Sequence, residues 1–369
     1  MRYRRLPIEI ESPEQMGYET LKHNLTESSC SDAELGSLAE GLERLLLAYG
    51  DHRGLPRLRA LIAAQGEGVK ADDVLVTPGA AAALFIVATA LLEKGDEMLV
   101  VRPNYATNVE TPEAIGCKVG YLDLRFEDGW RLDPAEVERR LTPRTKLVSL
   151  TTPHNPTGTV IPPADLKRIV SAVERAGARL LVDETYRDMT FGAPAPFAAS
   201  MSPRVIGVSS LSKTYGLPGL RAGWIACRDA ALMETFLAAK EQIVLCGSGL
   251  DEEVAARALE RRAARLPGIK GEIAARFAAV KDWMEEETRL EWVEPRGGVV
   301  CFPRLKDPSV AEAFYRALNA AGTFVGPGHW FGMDRRYFRL GYGWPKSEEL
   351  AAGLASIVAA LDAATLTAV

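Results

Sequence analysis

With 369 residues the chain is long for a single hydrophobic core, so a larger and a smaller domain are expected. A formal net charge of −5 without a run of Lys or Arg argues against a nucleic-acid partner and against binding to a membrane surface. The five cysteines are scattered without a C-x-x-C pair, which argues against a metal site or a disulfide framework and favours a reducing cytoplasm.

Residues 1–45 are predicted to form an N-terminal arm that belongs in part to the smaller domain. The arm begins MRYRRLPIEIESPEQ, which lacks an apolar run of signal-peptide length, so neither a secretion signal nor a membrane span is expected. It carries the acidic residues Glu9, Glu11 and Glu27. A turn with Gly50 and Gly54 then leads into an amphipathic helix that ends near residue 66.

From residue 74 onward, short apolar segments alternate with helical ones. Helices are predicted at residues 80–92, 134–141 and 163–176, and strands at residues 74–77, 97–101, 118–122, 146–150, 179–182, 204–208 and 224–226. Such alternation indicates βαβ units, and therefore an α/β fold with a mainly parallel seven-stranded sheet between layers of helices. Ligands of such sheets bind beyond the carboxyl ends of the strands.

The remainder predicts a smaller α+β domain. A long helical stretch covers residues 230–265, and the sequence Leu-Pro-Gly at 266–268 is predicted to break it. Strands near 290–293 and 299–302, a helix near 310–321, the strand YFRLGYG and a closing helix follow. The predicted divisions are the arm (1–45), a large cofactor-binding domain (46–265) and a small C-terminal domain (266–369).

Several predicted strand ends carry groups that suit a planar, phosphorylated ligand. The segment TPGAAAAL ends a strand and begins a helix, so the amides of Gly79, Ala80 and Ala81 can point at an anion. Tyr105 follows the next strand and can lie flat on a planar ring. In HNPTG, prolines on both sides fix the backbone of Asn155. Each feature alone would also fit an ordinary turn or core position.

The stretch VSSLSKTYGLPGLRAGW carries the strongest chemical signal. Lysine is seldom buried without a partner, so Lys213, which follows an apolar strand, suggests an amine kept for covalent work such as a Schiff base with an aldehyde. Arg221 follows eight residues later, beside the glycines of the same segment. In LLVDETY, Asp183 directly follows another strand, where its carboxylate can pair with a protonated ring nitrogen. A solvated loop lysine and a helix-capping aspartate are the simpler explanations for each residue taken alone.

In this order and at these spacings, HNPTG, DETY and S-x-S-K-T-Y-G-L-P-G-L-R-A-G resemble the class I/II aminotransferases of the fold-type I pyridoxal phosphate family. The resemblance runs from Tyr49 to Arg339. It implies pyridoxal 5′-phosphate as the cofactor and Lys213 as the residue that forms its Schiff base and later shuttles the proton. The cofactor-binding residues that it implies are Tyr49, Gly79, Ala80, Ala81, Tyr105, Asn155, Asp183, Tyr186, Ser210, Lys213 and Arg221.

The resemblance also assigns individual roles at the ring. Asp183 would keep the ring nitrogen protonated, and Asn155 and Tyr186 would bind the ring's 3-oxygen. Tyr49 would reach the phosphate of the neighbouring subunit, which implies a symmetric homodimer. Arg339 would take the substrate α-carboxylate in a fork that lysine could not supply.

The substrate side is less well defined. The predicted substrate-binding residues are Glu27, Asn155, His329 and Arg339. Two features depart from the family's usual pattern: Asn108 replaces a second aromatic residue, and the arm reads HNLTESS where glycine-containing loops are common. The acidic arm would favour a cationic amino acid if it faces the pocket, and it would be an ordinary solvated surface if it does not.

Three functions are compatible with the residues. Transamination moves the α-amino group of an L-amino acid to a 2-oxo acid through Lys213. A lyase or cyclase would instead eliminate a β or γ substituent from a cationic amino acid such as a hydroxyarginine, as in capreomycidine- or enduracididine-forming enzymes. A non-catalytic regulator is the third, although every cofactor position is intact and no DNA-binding segment is recognised.

Overall fold

The structure is a computed structural model that describes residues 1–366, apart from the side chain of residue 37. The α-helices within this range are α1 (Pro7–Ile10), α2 (Pro13–Met16), α3 (Pro56–Ala63), α4 (Gly79–Leu91), α5 (Thr107–Ile115), α6 (Pro134–Arg140), α7 (Pro163–Arg175), α8 (Ala230–Glu241), α9 (Gly249–Glu260), α10 (Arg262–Glu286), α11 (Ala311–Ala320) and α12 (Ser347–Leu366). The strands are β1 (His23–Asn24), β2 (Val74–Pro78), β3 (Glu97–Arg102), β4 (Lys118–Asp123), β5 (Thr145–Thr151), β6 (Arg179–Asp183), β7 (Val205–Ser210), β8 (Ala222–Ala226), β9 (Leu290–Glu291), β10 (Val300–Cys301), β11 (Arg304–Leu305), β12 (Thr323–Phe324), β13 (Gly326–Pro327) and β14 (Phe338–Gly341).

A seven-stranded sheet in the order β2-β8-β7-β6-β5-β3-β4 forms the centre of the molecule. Strands β3 to β7 pair in parallel, and β8 runs antiparallel to both its neighbours. Alternate residues of β6 enter different cores: Leu180 and Val182 pack in one, and Leu181 packs in the other. Both faces are buried, as expected for a sheet covered by helices. The predicted α/β fold with a mainly parallel seven-stranded sheet is confirmed.

The parallel pairing brings the functional strand ends together. Thr151, the last residue of β5, is the register partner of Asp183, the last residue of β6. Strand β7 continues one step further along the sheet and ends at Ser210, three residues before Lys213. The chain order of these residues therefore becomes a spatial row along one edge of the sheet.

The C-terminal part of the chain builds a separate core around the small sheet β10-β14-β13. By length and composition α12 could cross a membrane. Its apolar side chains Leu350, Leu354, Ile357 and Leu361 are instead buried in the core that α12 shares with α11. Strand β1 of the arm pairs in parallel with β12, with His23 opposite Thr323. The arm is thus tied to the C-terminal part of the fold.

The predicted helix break at residues 266–268 is wrong. Helix α10 runs from Arg262 to Glu286 with Pro267 inside it, and the chain actually turns at residues 242–248 and at Arg261. The proline lies near the start of α10, where it removes one intrahelical hydrogen bond from a helix of 25 residues. Helix α5, with Pro112 in its interior, was not predicted at all. The domain limits remain a prediction, and the one at 265/266 falls in the first turn of α10.

Candidate active site

A cavity of about 400 Å³ lies at the carboxyl ends of β5, β6 and β7. One side, here called the sheet wall, consists of residues that follow strands of the central sheet. The opposite side, the arm wall, consists of residues 8–15 and 26–28. The residues from the sequence prediction that line the cavity are Glu27, Ala80, Ala81, Tyr105, Asn155, Asp183, Tyr186, Ser210, Lys213, Arg221 and Arg339, together with the arm residue Glu9.

Lys213 lies on the sheet wall between Ser212 and Thr214. Its amine has no hydrogen-bond partner among the described residues, while its carbonyl accepts from the Cys30 amide at 2.8 Å. Desolvation lowers the pKa of the amine, and the nearby Arg339 guanidinium lowers it further, although Glu27 opposes the shift. A lowered pKa raises the fraction of neutral amine near neutral pH, which is the form that acts as nucleophile or base.

Asp183 is a buried carboxylate surrounded by neutral donors. The amide and hydroxyl of Thr185 donate to its Oδ1 at 3.1 and 2.6 Å. Burial raises the pKa of the carboxyl, whereas the bonds from Thr185 and from the Asn108 side chain lower it. Asn108, which departs from the family's pattern, is buried, accepts a hydrogen bond from Ser149 at 3.1 Å and lowers the pKa of Asp183. A protonated ring nitrogen would supply the positive partner that this carboxylate lacks within residues 1–366.

The amino end of α4 and Arg221 form an anion-binding cup. Gly79, the first residue of this 13-residue helix, has a φ of +82°, and a Cβ built on it would overlap the Arg221 guanidinium. Gly223 is required for a similar reason, because its Cβ would collide with the Gly79 backbone. The Ser210 hydroxyl lies in the same cavity. Helix amides, a guanidinium and a hydroxyl together fit a phosphate group, so the site fits the predicted cofactor at both its ring and its phosphate.

Arg339 joins the two walls. It is buried, and it donates through Nη1 to Asn155 Oδ1 at 3.1 Å and through Nη2 to the Thr26 carbonyl at 2.6 Å. Its Nε is buried and has no partner among the described residues. The Tyr186 hydroxyl similarly donates to the carbonyl of Ser28 at 2.6 Å. A buried guanidinium with an open donor is suited to receive a carboxylate.

The arm wall is closed by contacts of Glu11. Its Oε2 accepts from His329 Nε2 at 2.8 Å and from Trp330 Nε1 at 2.6 Å. Trp330 lines the cavity, but His329, predicted to contact the substrate, lies behind it against Glu11. The sequence reasoning missed Glu14, which lines the cavity from α2. Helices of four residues leave no periodic signal, so the direction of this side chain could not be inferred.

Glu27 is the arm-wall carboxylate that acts most strongly on Lys213. It is partly buried, and its Oε1 accepts from Tyr18 Oη at 3.1 Å and from Asn24 Nδ2 at 3.5 Å. Burial raises the pKa of its carboxyl, and the neighbouring Glu14 adds to this, while Lys213 and Arg339 lower it. A carboxyl of this kind can hold a cation or keep a proton.

Tyr49 does not line the cavity of its own chain. It is 86% exposed, and the preceding Leu46 and Leu47 are 84% and 80% exposed. Three further apolar side chains, Ile243, Leu245 and Leu250, are exposed on the segment that follows α8. The two segments adjoin, because Lys240 donates to the carbonyl of His52 at 2.5 Å. The six exposed apolar residues are here called the leucine patch.

Comparison with known proteins gives one consistent result. The family model described as "Aminotransferase class I and II" matches residues 22–357. Capreomycidine synthase of Streptomyces vinaceus is 33% identical over 319 residues, which cover 86% of this chain and 81% of that protein. Arginine–pyruvate transaminase AruH of Pseudomonas aeruginosa is 32% identical over 308 residues, or 79% and 77% of the two chains. The crystal structure of a PLP-dependent aminotransferase from Streptococcus suis superposes with a TM-score of 0.91 at 26% identity and covers 98% of both chains.

Proposed function

The chain belongs to the family of class I and II aminotransferases, which depend on pyridoxal 5′-phosphate, and we propose that it transfers the α-amino group of an L-amino acid to a 2-oxo acid. When bound, the cofactor supplies an aldehyde that links to amines and a ring that withdraws electrons. The observation that carries the proposal is the position of the Lys213 amine in one cavity with an anion cup and a guanidinium that has an open donor.

We assign the sheet wall to the cofactor. Arg221, Ser210 and the amides of Gly79 to Ala81 would hold its phosphate, since this cup combines a full positive charge with the helix dipole. Asp183 would hold the ring nitrogen in its protonated state, because a cation next to this buried carboxylate stabilises both charges.

Three further residues would position the ring. Tyr105 would lie on its face. Asn155 and Tyr186 would donate to the ring oxygen, and Tyr186 would then exchange its present partner, the Ser28 carbonyl, for that oxygen. The loss of the Ser28 contact would loosen one tie between the arm and the sheet wall.

Lys213 and Arg339 would carry out the work on the substrate. Arg339 would grip the α-carboxylate with its unpartnered Nε and the adjacent Nη2, which has a second N–H besides the one that it donates to Thr26. This grip would place the α-carbon near the Lys213 amine, which would act as the base that removes the α-proton and then carries it. The lowered pKa of Lys213 keeps a neutral base available for that step.

The test is a half-reaction. Purified holoenzyme receives one amino acid at a time without a 2-oxo acid, and the absorbance spectrum and the released 2-oxo acid are followed. Transamination predicts one equivalent of 2-oxo acid per site and complete conversion of the cofactor to its amine form. Repeated turnover with release of ammonia or water would contradict it. L-Arginine as donor and pyruvate as acceptor come first, because a relative is named for that pair.

The second candidate is a lyase or cyclase that eliminates a β or γ substituent from a cationic amino acid such as a hydroxyarginine. Two observations favour it: a relative named capreomycidine synthase, and the raised pKa of Glu27 near Lys213. A protonated Glu27 could give its proton to a departing hydroxyl, which would leave as water. Multiple turnovers of a hydroxyarginine in the half-reaction, without loss of the aldehyde form of the cofactor, would select this function.

We further propose that the chain forms a symmetric homodimer through the leucine patch, with Tyr49 reaching the phosphate cup of the partner. Three neighbouring apolar side chains above 79% exposure support a covered surface, since monomers rarely leave such patches open. Leu47→Asp should shift the mass in sedimentation equilibrium to that of the monomer, whereas Leu366→Asp, at another exposed leucine, should not.

The enzyme is proposed to work in the cytoplasm, in keeping with its five free cysteines.

A further inference from the structure

Apart from Asp183, which lies on the sheet wall and is assigned to the cofactor ring, the charges around the cavity are divided between its two sides. Lys213 and Arg221 stand on the sheet wall, and Arg339 stands beside them. Glu9, Glu14 and Glu27 stand on the arm wall. The bound cofactor would neutralise Arg221, and a substrate carboxylate would neutralise Arg339. The glutamates have no such assigned partner, so the cavity remains acidic on the arm side.

Glu14 and Glu27 lack an ion-pair partner, although Lys213 and Arg339 attract the Glu27 carboxylate from a longer distance. Neither is in an ion pair within the described part of the chain, and Glu27 accepts hydrogen bonds only from the neutral groups of Tyr18 and Asn24. The two carboxylates act on each other, because the charge of Glu14 raises the pKa of Glu27. Glu27 is also partly buried, unlike a solvated surface glutamate. Two carboxylates in this arrangement are stabilised most by a cation placed between them.

The orientation of the substrate follows from a second observation, the open Nε of Arg339. This guanidinium is 5% exposed, lines the cavity and already bonds the Thr26 carbonyl, one residue before Glu27. An α-carboxylate held there leaves the amino group toward Lys213. The side chain would then run toward the arm wall, which carries Glu27 and the more exposed Glu14.

We propose that the substrate of this enzyme carries a positive charge at the end of its side chain, and that Glu14 and Glu27 are the residues that recognise it. The inference deepens the proposed function and rests on it, because it takes the α-carboxylate to be bound by Arg339. A neutral side chain leaves both carboxylates without an ion-pair partner, and an anionic one is repelled. The same two residues therefore select for a guanidinium or an ammonium and select against dicarboxylates.

Recognition can be measured separately from the reaction with ligands that lack the α-amino group. 5-Guanidinopentanoate has a carboxylate and a guanidinium, 6-aminohexanoate has an ammonium, and 5-ureidopentanoate is a neutral isostere of the first. Calorimetric titration of the holoenzyme should give at least about tenfold tighter binding of the guanidinium compound than of the urea, as expected for a charge-assisted contact. The ammonium compound shows which of the two cations fits better.

The variants are Glu27→Gln and Glu14→Gln, with Glu19→Gln as the control, since Glu19 is an exposed arm residue that does not line the cavity. Glu27→Gln should reduce the preference for the guanidinium by about tenfold, and Glu14→Gln, which is more exposed, by about threefold. Glu19→Gln should leave it unchanged. Equal binding of the guanidinium and urea compounds by the wild type, or an unchanged preference in both cavity variants, would overturn the proposal.

If the variants fail to fold, a measurement on the wild-type holoenzyme still tests the proposal. In the wild-type holoenzyme, binding of 5-guanidinopentanoate should weaken as salt is raised, whereas binding of 5-ureidopentanoate should weaken less. Identical salt dependence would contradict the proposal. Strong binding of the guanidinium compound combined with no transfer of an amino group from any amino acid in the half-reaction would support the recognition of a cation and refute transamination, so the two failures are distinguishable.

Discussion

The sheet wall and the arm wall of the cavity are held in place by different kinds of contact. On the sheet wall, Asp183 and Ser210 end strands whose backbones are fixed by a buried hydrogen-bond ladder. On the arm wall, α1 and α2 have four residues each, and Glu11 holds them to His329 and Trp330. The sheet wall is therefore preorganised, whereas residues 8–15 of the arm wall depend on a few side-chain contacts. We infer that the chemistry is assigned to the first and the choice of substrate to the second.

The sharpest test of the sheet wall is Lys213→Ala. Loss of the amine should remove both the covalent link to the cofactor and the base, so kcat should fall by about 10⁴-fold or more. Borohydride reduction followed by mass spectrometry should find no covalently attached cofactor, while circular dichroism remains that of the wild type. Lys94→Ala, which removes an exposed lysine, serves as the control. Cofactor trapped on the Lys213→Ala protein would show that another amine forms the link.

A smaller effect is expected where the walls meet, at Arg339→Ala. Loss of the guanidinium fork should remove about 2 to 4 kcal/mol of transition-state stabilisation, which reduces kcat/KM by about 30- to 700-fold. Arg339 also holds the Thr26 carbonyl, so Arg339→Lys is needed to separate the two roles. Lysine keeps the charge without the fork and should restore only part of kcat/KM. An unchanged kcat/KM in Arg339→Ala would mean that the carboxylate is bound elsewhere.

The arm wall itself is tested by Glu11→Gln. The substitution keeps the size of the side chain but weakens the charge-assisted bonds from His329 and Trp330, so KM should rise by about three- to tenfold with little change in kcat. Limited proteolysis should cut the arm of the variant sooner than that of the wild type. Glu19→Gln provides the matched control. A lower kcat at constant KM would show that Glu11 takes part in the reaction. The arm wall would then not be limited to substrate binding.

The smallest expected effect is a shift in pH dependence. Desolvation lowers the pKa of Lys213 in the folded protein, so the neutral amine forms at lower pH than in a free lysine. The Glu27 carboxylate favours the charged amine, and Glu27→Gln should therefore move the pH dependence of covalent cofactor uptake by the apoenzyme further down. Stopped-flow absorbance measures this rate. A shift toward higher pH would show that the two groups do not interact as described.

The difference between the sheet wall and the arm wall also explains which parts of the site could be predicted from the sequence. Asp183 and Lys213 each follow a recognisable apolar strand, and parallel pairing of β5, β6 and β7 brings such strand ends to one edge. The contact between Glu11 and His329 joins residues 318 positions apart, and nothing local marks it. Glu14 went unnoticed for the same reason.

The errors in secondary structure also have physical causes. Pro267 suggested a helix end, but the long α10 tolerates it because the lost hydrogen bond lies near the start of the helix. Helix α5 contains Pro112 and mixes polar with apolar residues, so it shows no clear helical period.

The pairing of β1 with β12 holds the chain segment that leads to Glu27, and with it one dimension of the substrate site. The Gly341 amide donates to the Leu25 carbonyl, and Arg339 donates to the Thr26 carbonyl. Residues 25 and 26 are therefore tied to strand β14 by two hydrogen bonds that do not involve the helices α1 and α2. We therefore expect the distance from the guanidinium of Arg339 to the carboxylate of Glu27 to set the length of the substrate side chain that binds best. The wild type and Glu11→Gln should rank amino acids that differ by one methylene in the same order of kcat/KM. The reason is that loosening α1 and α2 should not change this distance.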